Sequence, residues 1–256
     1  MILALSIENT HLVMGCFSGE TLLFTSRMAT DRNKTGNEYT IAFKSILELH
    51  GVDRKEIRGS IISSVVPALR SEIKGALHLL LEQEPLVVGP GVKTGLNILM
   101  DNPATLGTDL VGNAVAAAAE YPAPLIVIDM NTATTMLALD GQKRFVGSVI
   151  APGVALSVTA LAAACDQLPC VSIEAPKEVI EKDTVDSMRS GAVFGAASML
   201  DGMIARMEQQ LGSSCTVLAT GPHAATIVPH CTRQITVDEH LLLKGLKRIY
   251  DRNQRK

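Results

Sequence analysis

The sequence contains no CxxC pair, no apolar run approaching the length of a membrane helix and no surplus of positive charge. Its five cysteines, Cys16, Cys165, Cys170, Cys215 and Cys231, are scattered, which suggests neither a zinc site nor a disulfide framework and points to a reducing compartment. A membrane helix needs roughly 18 or more apolar residues, and Met1 leads into an apolar strand with no basic leader, so a soluble cytoplasmic protein with no membrane partner is expected. The formal net charge of −3 argues against nucleic acid as a partner, and the basic residues within Arg54–Arg58 and Arg252–Lys256 are read as solvated surface. The six histidines share no spacing with carboxylates and are read as structural or exposed. No Ser-His-Asp order and no Gly-x-Ser-x-Gly elbow is present.

What is there is a 256-residue chain with 47% hydrophobic and 19% charged residues, a globular balance with room for one large or two small domains. Its most informative stretch is Pro124 to Thr135. Leu125, Ile126, Val127, Ile128 and, past Asp129, Met130 read as a strand buried on both faces, which gives way to Asn131 and Thr132. Asp129 is therefore a carboxylate at a strand end, where open α/β sheets bind ligands, and it suits a phosphate-and-cation site; a plain turn with a capping Asp is the alternative. The chain opens in the same way, with ILALSIENT. Setting Ser6 on Asp129 also sets Ile7 on Met130, Glu8 on Asn131 and Asn9 on Thr132, and each strand runs on into a second apolar stretch through a glycine, Gly15 or Gly141. Two similar α/β halves are expected, residues 1–120 and 121–256, with both turns at a shared cleft.

The remaining elements follow from periodicity. A hairpin is expected over Gly15–Thr30, turning at Ser18-Gly19, and an amphipathic helix over Gly36–His50 with Tyr39, Ile41, Phe43, Ile46, Leu47 and Leu49 mostly on one side. Ser60–Val66 reads as a strand stopped by Pro67, Pro67–Glu82 as a helix and Pro85–Val88 as a short strand. Gly107-Thr108-Asp109 could cap a helix over Leu110–Tyr121, so Asp109 is either a cap or a chemical group. In the second half, Asp140-Gly141 is a turn, Phe145–Ala151 a strand and Val154–Cys165 a helix. Pro169–Lys182 is an extended connection, Thr184–Leu211 a long helix, Cys215–Thr220 a buried strand and Leu241–Asn253 a closing helix. Gly191, Gly195, Ser198 and Gly202 lie along one side of the long helix, which fits close packing against another backbone, in a dimer or inside the fold.

Eight ordered stretches then carry a resemblance that spans nearly the whole chain: TDRNKTGNEY (Thr30–Tyr39), SSVVPAL (Ser63–Leu69), PGVKTGL (Pro90–Leu96), DNPATLGTDLVGN (Asp101–Asn113), IDMNTATT (Ile128–Thr135), IAPGV (Ile150–Val154), DTVDSMRSG (Asp183–Gly191) and LKRIYDRN (Leu246–Asn253). In these the sequence resembles the type III pantothenate kinases of the actin-like, sugar-kinase-like ATPase superfamily. The resemblance implies a duplicated actin-like (ribonuclease H-like) α/β fold with two domains around a central cleft. It also implies ATP-dependent phosphorylation of pantothenate on the way to coenzyme A, with Mg²⁺ and a monovalent cation, K⁺ or NH₄⁺, in a homodimer. By the same resemblance Asp109 is the general base, Asp129 holds the monovalent cation, and Thr132 touches ATP. Ser6, Ile7, Glu8, Asn9, Thr10, His11, Leu12 and Val13 match the first phosphate loop. Gly107, Thr108 and Leu110 match the pantothenate pocket together with Met100, and Thr184 contacts pantothenate across the dimer.

Several positions depart from the family pattern. Ser6 stands for an aspartate that helps position Mg²⁺, Glu8 for a glycine, Leu110 for the motif arginine, Met100 for a tyrosine, Asn131 for a glycine and Pro222 for a glycine. The leading expectation is a working kinase in which Glu8 supplies the lost carboxylate. The alternatives are a kinase-like protein of low activity with a ligand-binding or regulatory role, as in relatives described as accessory transcription factors, and an actin-fold kinase for another hydroxylated acid.

Overall fold

The computed structural model describes residues 1–254; Arg255 and Lys256, the end of the basic tail, lie outside the described residues. The elements in chain order are β1 (Ile2–Ile7), β2 (His11–Ser18), β3 (Thr21–Ala29), α1 (Gly36–Leu49), β4 (Gly59–Ser64), α2 (Pro67–Leu81), β5 (Leu86–Val87) and α3 (Thr108–Glu120). They continue with β6 (Leu125–Met130), β7 (Ala133–Leu139), β8 (Phe145–Pro152), α4 (Val154–Ala164), α5 (Thr184–Leu211), β9 (Thr216–Thr220), α6 (Ala224–Ile227), β10 (Thr236–Val237) and α7 (Leu241–Gln254). Two short elements, α6 and β10, have no counterpart in the periodicity of the sequence, being too short to set up a period. Among the described residues no helix is long and apolar enough to cross a membrane.

The ten strands form two five-stranded sheets of one topology. The first runs β3-β2-β1-β4-β5, and the second, read from its β8 edge, runs β8-β7-β6-β9-β10. In each, the leading strand pairs antiparallel with its hairpin partner and parallel with the strand reached through helices. The repeat seen in the sequence is thus a repeat of structure, and Ile7 and Met130 are both the last paired residues of their strands, against Leu12 and Thr134. The glycines do not correspond, however. Gly15 sits inside β2 opposite Ala4, whereas Gly141 lies in the turn after β7.

The chain divides into two compact units. One comprises Met1–Leu96, Asn102–Ala116 and the chain from Leu241, and the other Asn97–Asp101 and Ala117–His240. In the first, strand alternation sorts the sheet faces. Leu3, Leu5 and Ile7 of β1 join Tyr39, Phe43 and Leu47 of α1 and Leu69, Ile73 and Leu77 of α2 in one core. Ala4 on the opposite face joins Val111 and Val115 of α3 and Leu242, Leu246 and Ile249 of α7. Ser6, two residues from Ala4, therefore faces the α3 side. Helix α1 starts at a reciprocal capping box between Thr35 and Glu38 and α2 starts with Pro67 in its first turn, as helix-start chemistry prefers. Ile41 and Leu49 do not share the buried stripe of α1. They are 66% and 80% exposed, because a 3.6-residue period carries them off the line of Tyr39, Phe43 and Leu47.

In the second unit Ile126, Ile128 and Met130 of β6 pack with Val193, Ala197, Leu200 and Ile204 of α5 and with Ala224 and Ile227 of α6. Helix α5 is capped by Asp183, whose side chain accepts from the Asp186 N–H, and ends at Gly212 with φ +70. Of the residues expected to meet another backbone, Gly191 and Gly195 would have nothing within 4 Å of an added Cβ, and Gly202 only the Arg206 guanidinium. Packing inside the fold is not what those glycines serve.

Close backbone packing occurs instead between α3 and α7. A Cβ on Gly245 would overlap the Gly112 carbonyl, and one on Gly112 would overlap Leu242. The end of α7 also clamps the loop after β5. Lys93 N–H donates to Asn253 Oδ1 at 3.1 Å and Asn253 Nδ2 donates back to the Lys93 carbonyl at 3.0 Å, while the Arg252 guanidinium lies over Gly95. Two of the family stretches, PGVKTGL and LKRIYDRN, are therefore halves of one clamp. Glycine to alanine in a helix interior ordinarily stabilises by about 1 kcal/mol. At Gly245 the sign is expected to reverse: G245A loses about 1–3 kcal/mol through overpacking, read as a lower urea midpoint at unchanged slope.

Candidate active site

Where β1 and β4 end side by side, polar side chains take over from the ladder. Ser6 pairs with Ser63 and Ile7 with Ser64. Ser63 Oγ and Thr108 Oγ1 are hydrogen-bonded at 2.8 Å, and the Ser64 N–H donates to Thr108 Oγ1 at 3.1 Å. Thr108 thus fastens the first turn of α3 to the end of β4, and its hydroxyl is committed there. Asp109, the next residue, is half-buried. Burial lifts its carboxyl above the usual carboxylate range, against the pull of the Leu110 N–H and its own N–H, because a carboxylate drawn partly out of water loses hydration that two amide donors only partly replace. Gly107 makes this possible, since a Cβ there would run into Asp109 Oδ1.

The first turn, residues 8–11, is held from outside. Thr30 donates its hydroxyl to the Glu8 carbonyl at 2.7 Å and its N–H to the Thr10 carbonyl at 3.0 Å. Tyr39 Oη, donating to the Asp31 carbonyl at 2.7 Å, fixes the segment that carries Thr30. The Ser6 hydroxyl donates to Glu8 Oε1 at 3.3 Å, so the Glu8 carboxylate folds back to the end of β1. Two guanidinium groups flank the turn: Arg32 reaches Asn9 Oδ1 at 3.4 Å, and Arg27 lies 2.7 Å from His11 Nδ1. Burial and Arg27 both lower the His11 pKa, keeping the ring neutral at pH 7. Sequence reasoning missed both arginines; the signal was the β2–β3 hairpin, whose register sets His11 across from Ala29 and Val13 across from Arg27. Ile7 and Leu12 point into the core at 1% and 0% exposure, so only their backbone can meet a ligand. Val13 packs against the core on the α7 side.

The second turn is shorter by one residue, with Met130 paired to Thr134. Asp129 is 5% exposed and pairs in register with Thr220. Asn131 Nδ2 donates to Asp129 Oδ1 at 2.7 Å. Gly153 N–H donates to the Thr132 carbonyl at 3.1 Å, and a Cβ on Gly153 would overlap the Asn131 and Thr132 carbonyls. IDMNTATT and IAPGV are thus packed backbone to backbone. Gly221 takes φ +92, with Pro222 after it.

The remaining expected residues fall as follows. Leu110 is buried at 6% exposure and offers no polar group. Met100 is half-buried in Asn97–Asp101, which pairs with the start of β8 through Leu99 N–H to Phe145 O at 2.8 Å. Thr184 is exposed at the start of α5, on a groove of about 690 Å³ with Leu161, Met188, Lys182 and Ser187. The Gly107 contact gives a direct check. G107A should push the Asp109 side chain out toward water and return its pKa toward the ordinary carboxylate value, read by carboxyl ¹³C titration.

A profile of the type III pantothenate kinase family matches residues 2–206. The chain is 40% identical over 255 residues to the type III pantothenate kinase of Exiguobacterium sp. strain ATCC BAA-1283 / AT1b, covering 100% of both chains. Among solved structures, a Campylobacter jejuni protein assigned to the Baf family of transcriptional activators aligns at TM-score 0.61 and 16% identity, over 99% of this chain and 100% of that one. The activator of the 2-hydroxyisocaproyl-CoA dehydratase from Clostridium difficile, with bound ADPNP, aligns at 0.58 and 12%, over 100% and 98%. At such identities these two speak for the fold alone, an α/β fold of the actin-like ATPase and sugar-kinase type. With two duplicated sheets, motif-bearing turns at their strand ends and full-length kinship to the Exiguobacterium enzyme, this chain belongs to the type III pantothenate kinase family.

Proposed function

We propose that this protein transfers the γ-phosphoryl group of ATP to the terminal hydroxyl of pantothenate, giving 4′-phosphopantothenate and ADP, the first step toward coenzyme A. The family kinship supports the substrates. The observation that carries the chemistry is Asp109, a carboxylate held above its usual range by burial at the first turn of α3. In this mechanism Asp109 accepts the hydroxyl proton as the oxygen attacks the γ-phosphorus, and the β-phosphate oxygen leaves with ADP. Burial makes it a better base than a solvated aspartate.

The first turn is assigned to the phosphates, offering its backbone and the Thr10 and Asn9 side chains, with Arg32 as an adjacent positive charge. Arg32 thus offers a cation to the triphosphate that Leu110 cannot. Mg²⁺ fits Ser6 and Glu8, since the Ser6–Glu8 hydrogen bond sets two oxygen donors at the end of β1. When bound, the ion neutralises phosphate charge. Thr132 is assigned to ATP from the second turn. Gly107, Met100, Leu110 and Thr184 are assigned to pantothenate, and Leu110 and Met100 are each more apolar than the arginine and tyrosine of the family pattern. The monovalent cation expected at Asp129 meets a carboxylate already engaged by Asn131. A cytoplasmic setting suits a chain whose five cysteines are all free.

A homodimer is part of the proposal. The Gly191, Gly195 and Ser198 positions of α5 are exposed, and nothing in the chain approaches a Cβ on either glycine, so a second copy of α5 could pack there closely. Replacing Gly195 by Trp should then convert a dimer to a monomer in analytical ultracentrifugation, with the far-UV spectrum unchanged.

The kinase reading is tested by mass detection of 4′-phosphopantothenate with purified protein, ATP and Mg²⁺. Wild type should turn over, and D109N should lose about 10²–10⁴-fold in kcat; no product from folded wild type overturns the reading. Because Asp109 titrates higher in the fold than unfolded, ionising it costs stability as pH rises from the ordinary carboxylate range through the raised pKa. D109N removes that cost and should be as stable as wild type or more so at pH 7. The acidic limb of kcat/KM should lie above that of an unperturbed aspartate.

A further inference from the structure

The second turn holds the carboxylate that family resemblance gives to a monovalent cation, yet its surroundings describe a different solution. Asp129 is 5% exposed, and a carboxylate that dry needs a compensating partner. One is in place: the Asn131 amide donates to Oδ1 at 2.7 Å. The amide's orientation is forced, since the opposite one would set its oxygen against the carboxylate oxygen. On another side of Oδ1 stands Gly221, where a Cβ would lie 2.8 Å away. A cation ligating Oδ1 would have to share that oxygen with the amide and fit beside Gly221. The residues present do not fit a resident monovalent cation at this oxygen.

We propose that the Asn131 amide does the work of that cation, so that nucleotide binding and turnover by this protein are independent of K⁺ and NH₄⁺. An amide N–H is a donor of the same kind as an ammonium N–H, carried on the chain rather than drawn from solution. It donates to Asp129 and ties the turn back to the strand end. The backbone of the turn is already fixed by Asn131 N–H to the Ala133 carbonyl and Gly153 N–H to the Thr132 carbonyl, each at 3.1 Å. The side chain then supplies the electrostatic part that remains. Asn131 is not among the residues with positive φ, so glycine or alanine fits there without backbone strain.

The activity arm of the test rests on the kinase reading; the binding and melting arms do not. Wild type, N131G and N131A are compared in KCl and in choline chloride at equal ionic strength, without Na⁺. ATP affinity is measured by calorimetry, melting temperature by scanning calorimetry, and turnover of pantothenate by mass. Wild type should change by less than about twofold in affinity and turnover between the salts, with no K⁺-dependent shift in melting. Losing a charge-assisted hydrogen bond is worth about tenfold or more, so each variant should become K⁺-dependent by about that factor and melt higher with K⁺ than without. A wild type that loses tenfold without K⁺ overturns the proposal, as do variants no more K⁺-dependent than wild type. Protein that phosphorylates nothing in either salt overturns the kinase reading, while affinity and melting still decide the role of Asn131.

Discussion

Everything chemical in this protein depends on where two pairs of parallel strands stop. β1 and β4 end together at Ile7 and Ser64, and β6 and β9 at Asp129 and Thr220. Beyond those pairs the backbone donors and acceptors have no ladder partner, and buried polar groups left unmatched are costly. Side chains and flanking loops meet the demand. Thr108 binds the end of β4, Thr30 binds the turn after β1, and Gly153 binds the turn after β6. The same hydrogen bonds that complete the fold bring a carboxylate, hydroxyls and amides to the strand ends. Stability and site geometry are therefore set by one group of contacts.

The two turns also share a device. In each, the side chain two residues after the strand-end position folds back onto it: Glu8 accepts from Ser6, and Asn131 donates to Asp129. Both are positions where the family pattern has glycine. In the first turn the hydrogen bond from Ser6 carries the Glu8 carboxylate back to the end of β1. In the second the strand-end residue is itself the carboxylate and Asn131 sets a donor beside it. The departures that look disruptive one residue at a time are paired in space, and each pair retains a carboxylate at its strand end.

The stretches that carry the family resemblance separate into two kinds once folded. PGVKTGL and LKRIYDRN form the clamp of Asn253 and Arg252 on the loop after β5. DTVDSMRSG caps α5 and ties down the segment before it, through Arg189 to Ser172 and Ser190 to the Val179 carbonyl. TDRNKTGNEY mostly positions, through Thr30, Tyr39 and the Thr35–Glu38 box. DNPATLGTDLVGN, IDMNTATT and the opening strand-turn place carboxylates at or beside the strand ends, SSVVPAL adds the hydroxyls of Ser63 and Ser64, and TDRNKTGNEY adds Arg32 beside the first turn.

The sequence by itself determined the elements and their duplication, because apolar runs that stop at polar turns leave a local signal: α5 spans Thr184–Leu211 as expected. It also marked Asp109 and Asp129, since a carboxylate beside an apolar strand or helix start is conspicuous in one dimension. Tertiary structure alone decided what those carboxylates face. The burial of Asp109 and the close approach of Gly107 to it exist only in the fold. The 3.3 Å hydrogen bond that turns the Glu8 carboxylate back to Ser6 is likewise a product of the folded turn. Gly245 against Gly112 joins residues far apart in the chain. Local propensity is written residue by residue, but burial and side-chain pairing depend on neighbours that only the folded chain brings together.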